Sequence, residues 1–330
     1  MLPQTEFLTI HDNEALIRQF IEQVIIQPKM TLKHWSEVTN QTPAVKLGYI
    51  GQHLASLITG VKGTGSGARG DDLEDGSEVK SCNKIDQADK CKNKDCGRRV
   101  MRYENVCPYC GCTDIERKDD SKWLFTVRSK EELQQYLNMD RVVLLLMDYP
   151  NFDNNDFRDI RISVFEIYPK EKRMKVFGQL LSNFYHNIYK PKLADKIGKT
   201  NPMNLHPLGF QFYKCNPIKT FECIIKDIDT HPDIQILNYF TPEFDRSVNI
   251  PSEAMPSSLL TNDEMNALCN NAPFKLIKPL IGGSITKEEF CALTANDKRK
   301  MLPLIPEALK VYIPLRPITP TRQKNPYKRS

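Results

Sequence analysis

The sequence predicts a mixed α/β protein, and three observations carry that reading. Apolar residues recur at helical spacing through residues 1–59. Short β-rich runs alternate with a capped helix between Trp123 and Tyr168. Six cysteines crowd between Cys82 and Cys112, the pattern of a small metal-knit module set into a larger fold.

Taken in order, Asp12 is placed to cap a helix that turns Leu16, Ile17, Phe20, Ile21, Val24 and Ile25 inward. Thr42 and Pro43 open a second helix, with Leu47, Ile50, Leu54, Leu57 and Ile58 on one stripe. Residues 60–76 hold six of the 15 glycines, so the backbone there turns repeatedly or approaches something closely. After the cysteines, WLFTV (123–127), VVLLLMDY (142–149) and DIRISVFEIY (159–168) read as strands. A helix capped by Ser129-x-x-Glu132 lies between the first two. Residues 199–217, rich in Asn, Pro and aromatics, read as a loop, and Thr261-x-x-Glu264 and Thr286-x-x-Glu289 announce two short helices. The chain ends basic and proline-rich, as an extended tail would.

The chain has 330 residues, 40% of them hydrophobic, and a formal charge of +5, which describes a folded and mildly basic protein. At about 150 residues per domain the length accommodates roughly two domains. The longest aliphatic run, Val142 to Met147, is far short of the roughly 18 residues of a membrane span, which excludes a membrane role. No basic segment followed by an apolar one opens the chain, so the expected compartment is the cytosol, where clustered thiols serve as metal ligands rather than disulfides.

Chemistry concentrates in Gly70 to Lys80, GDDLEDGSEVK. Asp75-Gly76 is a hairpin signal, and the alternation that follows sends Glu78 and Lys80 to one face of a strand. A two-residue loop would bring Asp71 beside them. A three-residue loop, Glu74 to Gly76, would bring Asp72, and a left-handed Gly76 in its last place favours Asp72. Two carboxylates and an ammonium across a hairpin are hard donors suited to Mg²⁺ and phosphate oxygens, which is the chemistry of phosphodiester hydrolysis. Against this, a Glu-x-Lys match on an exposed strand is commonly a solvated pair worth under about 1 kcal/mol.

Four thiols, Cys91-x4-Cys96 and Cys107-x2-Cys110, have the spacing of a structural Zn²⁺ site. Cys112 is an alternative fourth ligand, and Cys82 is expected to pack. Seven cations against three acids between 84 and 102, Arg98, Arg99 and Arg102 among them, make a surface able to hold phosphates. Lys62 and Arg69, among the glycines, could do the same. Gly65 to Gly70 matches GxGxxG in form only, since it follows a helix and leads into acids.

The D…ExK residues Asp72 (or Asp71), Glu78 and Lys80 resemble the PD-(D/E)xK nuclease superfamily, which includes most type II restriction endonucleases. The longer string GSGARGDDLEDGSEVKSCNKIDQ, Gly65 to Gln87, looks like the MamI-type restriction endonucleases, which cut interrupted palindromes. The resemblance implies a PD-(D/E)xK core, and the zinc module read from the cysteine spacing would be inserted into it. It also implies Mg²⁺ held by Asp72 and Glu78, a catalytic Lys80, sequence-specific cleavage of double-stranded DNA, and a homodimer. Gly70-Asp71 stands where the superfamily name has a proline, which leaves the choice of aspartate open. On this reading 1–59 is a helical part packed on the core, and 60–170 is the catalytic core with the module at about 82–112. The remainder, 171–330, is a C-terminal α/β region for DNA recognition. A non-catalytic zinc-ribbon DNA-binding protein and a repair or junction-resolving nuclease are the alternatives.

Overall fold

The computed structural model describes residues 3–40, 47–65, 71–83, 89–100, 106–116, 121–151, 156, 158–194, 201–246, 250–282 and 285–317. The expected cap at Thr42-Pro43, the cations Arg69, Lys84 and Arg102, and the basic tail from 318 onward lie outside them.

A five-stranded mixed sheet forms the centre, made of β1 (Glu78–Asn83), β6 (Val142–Asp148), β7 (Ile160–Ile167), β9 (Ile218–Lys226) and β10 (Asp233–Tyr239) in that spatial order. Only β1 and β6 run parallel, with Glu78 opposite Val142 and Lys80 opposite Leu144; the other pairs are antiparallel. Parallel neighbours need a crossover. Here it contains a cysteine module built on β2 (Asp89–Cys91), β3 (Arg99–Val100) and β4 (Ile115–Glu116), then β5 (Trp123–Phe125) and helix α4 (Lys130–Asn138). As expected from the sequence, Ser129 caps α4 by accepting from the Glu132 amide at 3.1 Å.

Every residue of β6 is buried because both faces of the sheet are covered. On one face Val142, Leu144, Leu146, Phe165 and Cys82 pack against Trp123, Phe125, α4 and α5 (Val176–Phe184), together with the C-terminal helices. On the other, Val79, Val143, Leu145 and Val164 pack against Ile17 and Ile21 and against Leu54 and Ile58. These come from α1 (Asn13–Phe20), the wider turn that continues it, and α3 (Gly48–Thr59); α2 (Gln27–Thr39) carries that first helical run onward. A Cβ on Gly51 of α3 would stand 2.6 Å from Ser81 Cβ, so glycine is what lets this helix lie directly on β1.

The helices capped by Thr261 and Thr286 form as expected, each with its full capping box. The expected loop at 199–217 is corrected. It contains β8 (Met203–Leu205), paired with β5, and a short helix Phe210–Lys214. Its aromatics belong to the core: Phe212 is fully buried, its ring 5.6 Å from that of Trp123 and 5.0 Å from that of Phe165.

Candidate active site at the sheet edge

The expected hairpin is corrected. β1 is an edge strand whose ladder partner is β6, in parallel. The aspartate segment instead lies antiparallel to the start of the glycine-rich stretch. Gly63 and Leu73 form a bridge, the Thr64 amide donates to Asp72 O at 3.2 Å, and the Glu74 amide donates to Lys62 O at 2.9 Å. A tight turn then leads into β1. The Asp72 and Leu73 amides both donate to Ser77 O at 3.1 Å, and the Gly76 amide donates to Leu73 O at 3.0 Å. Three residues, Glu74 to Gly76, are enclosed, and Gly76 has φ +77°, a left-handed conformation that glycine adopts without penalty. The loop thus has the three-residue length that favours Asp72 in the sequence, although the pairing differs from the one the sequence implied.

Asp72 is half-buried above the first residues of β1. Its Oδ2 accepts from the Val79 amide at 2.8 Å and its Oδ1 from Gln52 Nε2 of α3 at 2.6 Å. Glu78 and Lys80 share the face covered by α4, where the Lys80 ammonium donates to Glu78 Oε1, with side chains 25% and 12% exposed for Lys80 and Glu78. The Tyr136 hydroxyl of α4 donates to the same oxygen at 3.5 Å. Asp71 stands beside this group. Its carbonyl accepts from Thr64 Oγ1 at 2.7 Å, and its charge pushes against that of Asp72.

Burial is the main force on both carboxylates and raises their pKa values. For Asp72 the Val79 amide and the Lys80 charge oppose that rise, and for Glu78 the Lys80 charge and hydrogen bond do, without cancelling it. The same burial, followed by the Glu78 carboxylate, holds the Tyr136 phenol well above its usual range. Two partly desolvated acids that repel one another while one ammonium offsets part of their charge form a site that gains from a bound cation. Each Asp72 oxygen accepts one of the hydrogen bonds just named and keeps a second lone pair. Both bonds to Glu78 fall on Oε1, which leaves Oε2 for a metal, so the two side chains fit a hard divalent ion.

Gln52 and Tyr136 were missed by the sequence reading. Gln52 is a polar residue of a largely apolar helix, next to the Gly51 that touches β1, a signal visible only once that contact is known.

In the cysteine module the sulfurs of Cys91, Cys96, Cys107 and Cys110 all lie within 4.8 Å of one another, with Cys91 to Cys110 at 3.6 Å and Cys96 to Cys107 at 3.7 Å. Tetrahedral zinc–thiolate bonds of about 2.3 Å put sulfurs ~3.8 Å apart, whereas a disulfide would put them at about 2.05 Å. Four thiols therefore form a group able to hold a metal ion. The Cys112 amide brings the Cys110 thiol down to about 7, while burial pushes Cys91 up to about 12. Cys112 itself stands outside the quartet. Its carbonyl accepts from the Cys107 amide at 2.9 Å, and its thiol faces Asp114 O at 3.7 Å. Cys82 is buried in the main core as expected.

Of the cations expected to meet phosphate, Lys62, Lys90, Lys92, Lys94, Arg98 and Arg99 are described and all six are exposed. Arg98 lies over the Tyr109 ring at 4.6 Å, Arg99 sits opposite Lys90 across the β2–β3 pair, and Lys62 adjoins the acidic segment through its carbonyl.

The MamI restriction endonuclease family model matches residues 34–258, which span α3, the acidic turn, β1, the cysteine module and the sheet through β10. The chain belongs to the MamI restriction endonuclease family. A curated relative, the type II restriction enzyme MamI of Microbacterium ammoniaphilum, is 28% identical over 200 residues. That alignment covers 61% of this chain and 56% of the relative, so the chain spans a little over half the relative's length. No solved structure matches.

Proposed function

We propose that the chain is a Mg²⁺-dependent type II endonuclease that hydrolyses phosphodiester bonds in double-stranded DNA at specific sequences, on a PD-(D/E)xK core. The observation that carries this reading is the meeting of Asp72, Glu78 and Lys80 at an edge strand of the sheet. Membership of a restriction-endonuclease family and the parallel β1–α4–β6 crossover both support it.

Asp72 and Glu78 would hold Mg²⁺, which supplies Lewis-acid stabilisation of charge on the scissile phosphate and a more acidic bound water. Lys80 then places a positive charge over the attacked phosphate or orients the attacking water, while its neighbour Glu78 keeps the ammonium from swinging into solvent. Gln52 and the Val79 amide fix the rotation of the Asp72 carboxylate, and Tyr136 limits that of Glu78. In the cysteine module, four thiolates leave no open position for water, so Zn²⁺ there is structural and makes a rigid support. Its exposed cations Arg98 and Arg99, together with Arg102, Arg69 and Lys62, contact DNA phosphates. A twofold-symmetric homodimer fits a palindromic target.

Incubation of a defined plasmid with purified protein, with and without Mg²⁺, followed by sequencing of the ends, tests this reading. Cuts at one recurring sequence, dependent on Mg²⁺, are expected. Cutting governed by DNA structure rather than sequence would favour a repair or junction-resolving enzyme, and Mg²⁺-independent binding without cleavage would favour a zinc-ribbon binding protein.

A further inference from the structure

The turn that sets Asp72 against Glu78 is held from behind by a buried charge network that the proposed reaction does not itself use. Arg141, the residue before β6, stands at its centre. Its Nε donates to Ser77 Oγ at 2.9 Å, its Nη2 donates to Asp75 Oδ2, and its carbonyl accepts from the Glu78 amide at 3.1 Å. Its remaining nitrogen lies 3.8 Å from Glu166 Oε1. Glu166 is fully buried in β7 and shared with Arg246 at 3.5 Å, and it also accepts from the Tyr168 hydroxyl. Burial works against the ionised Glu166, yet Arg246 and then Arg141 outweigh it and hold its carboxyl below the usual range.

We infer that Arg141 is a positioning residue for the acidic cluster: its planar fork clamps both side chains of the turn to the start of β6 and so fixes Asp72 against Glu78 at the separation a divalent cation needs. The inference rests on the nuclease reading above and deepens it.

Three features separate this role from simple turn stability. The turn already closes itself, because the Ser77 amide donates to Asp75 Oδ1 at 3.1 Å and Ser77 O accepts from two amides. The clamp therefore adds aim rather than closure. A guanidinium can bond Ser77 and Asp75 at once in a fixed plane, which a lysine cannot. Finally, a cavity of about 180 Å³, lined by Asp75, Asp140, Arg141, Tyr168, Lys170 and Arg246, opens beside the clamp, so the turn has room to drift once released.

Two variants test this on the full chain. Asp75→Asn combined with Ser77→Ala frees the turn while leaving Arg141 paired with Glu166. Arg141→Lys keeps the charge over Glu166 but loses the fork. Binding of Mg²⁺ and of Ca²⁺ is measured by calorimetry, alongside thermal melting and the Mg²⁺ concentration that gives half-maximal cleavage. Both variants are expected to bind the ions about 10- to 100-fold more weakly, the range seen when a residue supporting a metal ligand is lost. The half-maximal Mg²⁺ concentration is expected to rise in parallel. Wild-type ion affinity in either variant, with or without a lower melting temperature, overturns the inference and leaves the nuclease reading intact. A wild-type protein that binds neither ion and cuts nothing overturns both.

Discussion

Glu78 and Lys80 came together in the sequence because strand alternation puts residues i and i+2 on one face, and that local rule survived the change of ladder partner. The place of the Asp72 carboxylate against the start of β1 was legible through Gly76, whose left-handed conformation ends a three-residue loop. Gln52 and Tyr136 were not legible, since they reach the site from helices whose packing no local pattern encodes. The raised carboxylate pKa values carry a prediction. Both acids must be ionised to hold the cation, so cleavage should fall with decreasing pH from a higher pH than ordinary carboxylates would give, and saturating Mg²⁺ should move that limb back down. Rates measured against pH at low and high Mg²⁺ check this, and an acid limb indifferent to Mg²⁺ would contradict it. The sign for stability is the reverse: a native pKa above the unfolded value means that protonating these two groups favours the fold, so activity is lost before structure.

At the level of elements, the cysteine module was the most legible part, because thiol spacing alone encodes a local tetrahedral arrangement. The strands β6 and β7 and helix α4 were legible from apolar runs and a capping box. The hairpin was misread because Asp75-Gly76 truly makes a turn, yet a turn does not dictate that the strand leaving it pairs with the segment entering it. The apolar face of β1 finds the longer strand β6 instead. For the module we expect about one zinc per chain by elemental analysis, unchanged in Cys112→Ser and lost in Cys107→Ala. Because metal binding contributes directly to folding, Cys107→Ala should also lower the melting temperature by ~5 °C or more. Full zinc content in Cys107→Ala would remove that thiol from the site.

For the whole molecule, the mixed α/β class was legible from alternating periodicities, but the sheet order was not. β9 and β10 join β1 and β6 from far along the chain, and such non-local pairing leaves no mark in a local window. Neither did the aromatics of 199–217 announce themselves as core, since Asn and Pro around them read as loop until Phe212 is seen against Trp123. The resulting architecture buries β6 in the interior of the sheet and leaves β1 and β10 as its two edges, so the strand bearing Glu78 and Lys80 lies at a margin rather than in the middle. No helix among the described residues is long and apolar enough to cross a membrane. The most direct test of the central claim is plasmid cleavage in Mg²⁺ by the wild-type protein beside Lys80→Ala. We predict that the variant melts like the parent, still binds DNA, and cuts at least about 100-fold more slowly, the scale of losing one electrostatic group at a reacting centre. A folded Lys80→Ala protein that cuts at the wild-type rate would contradict the account.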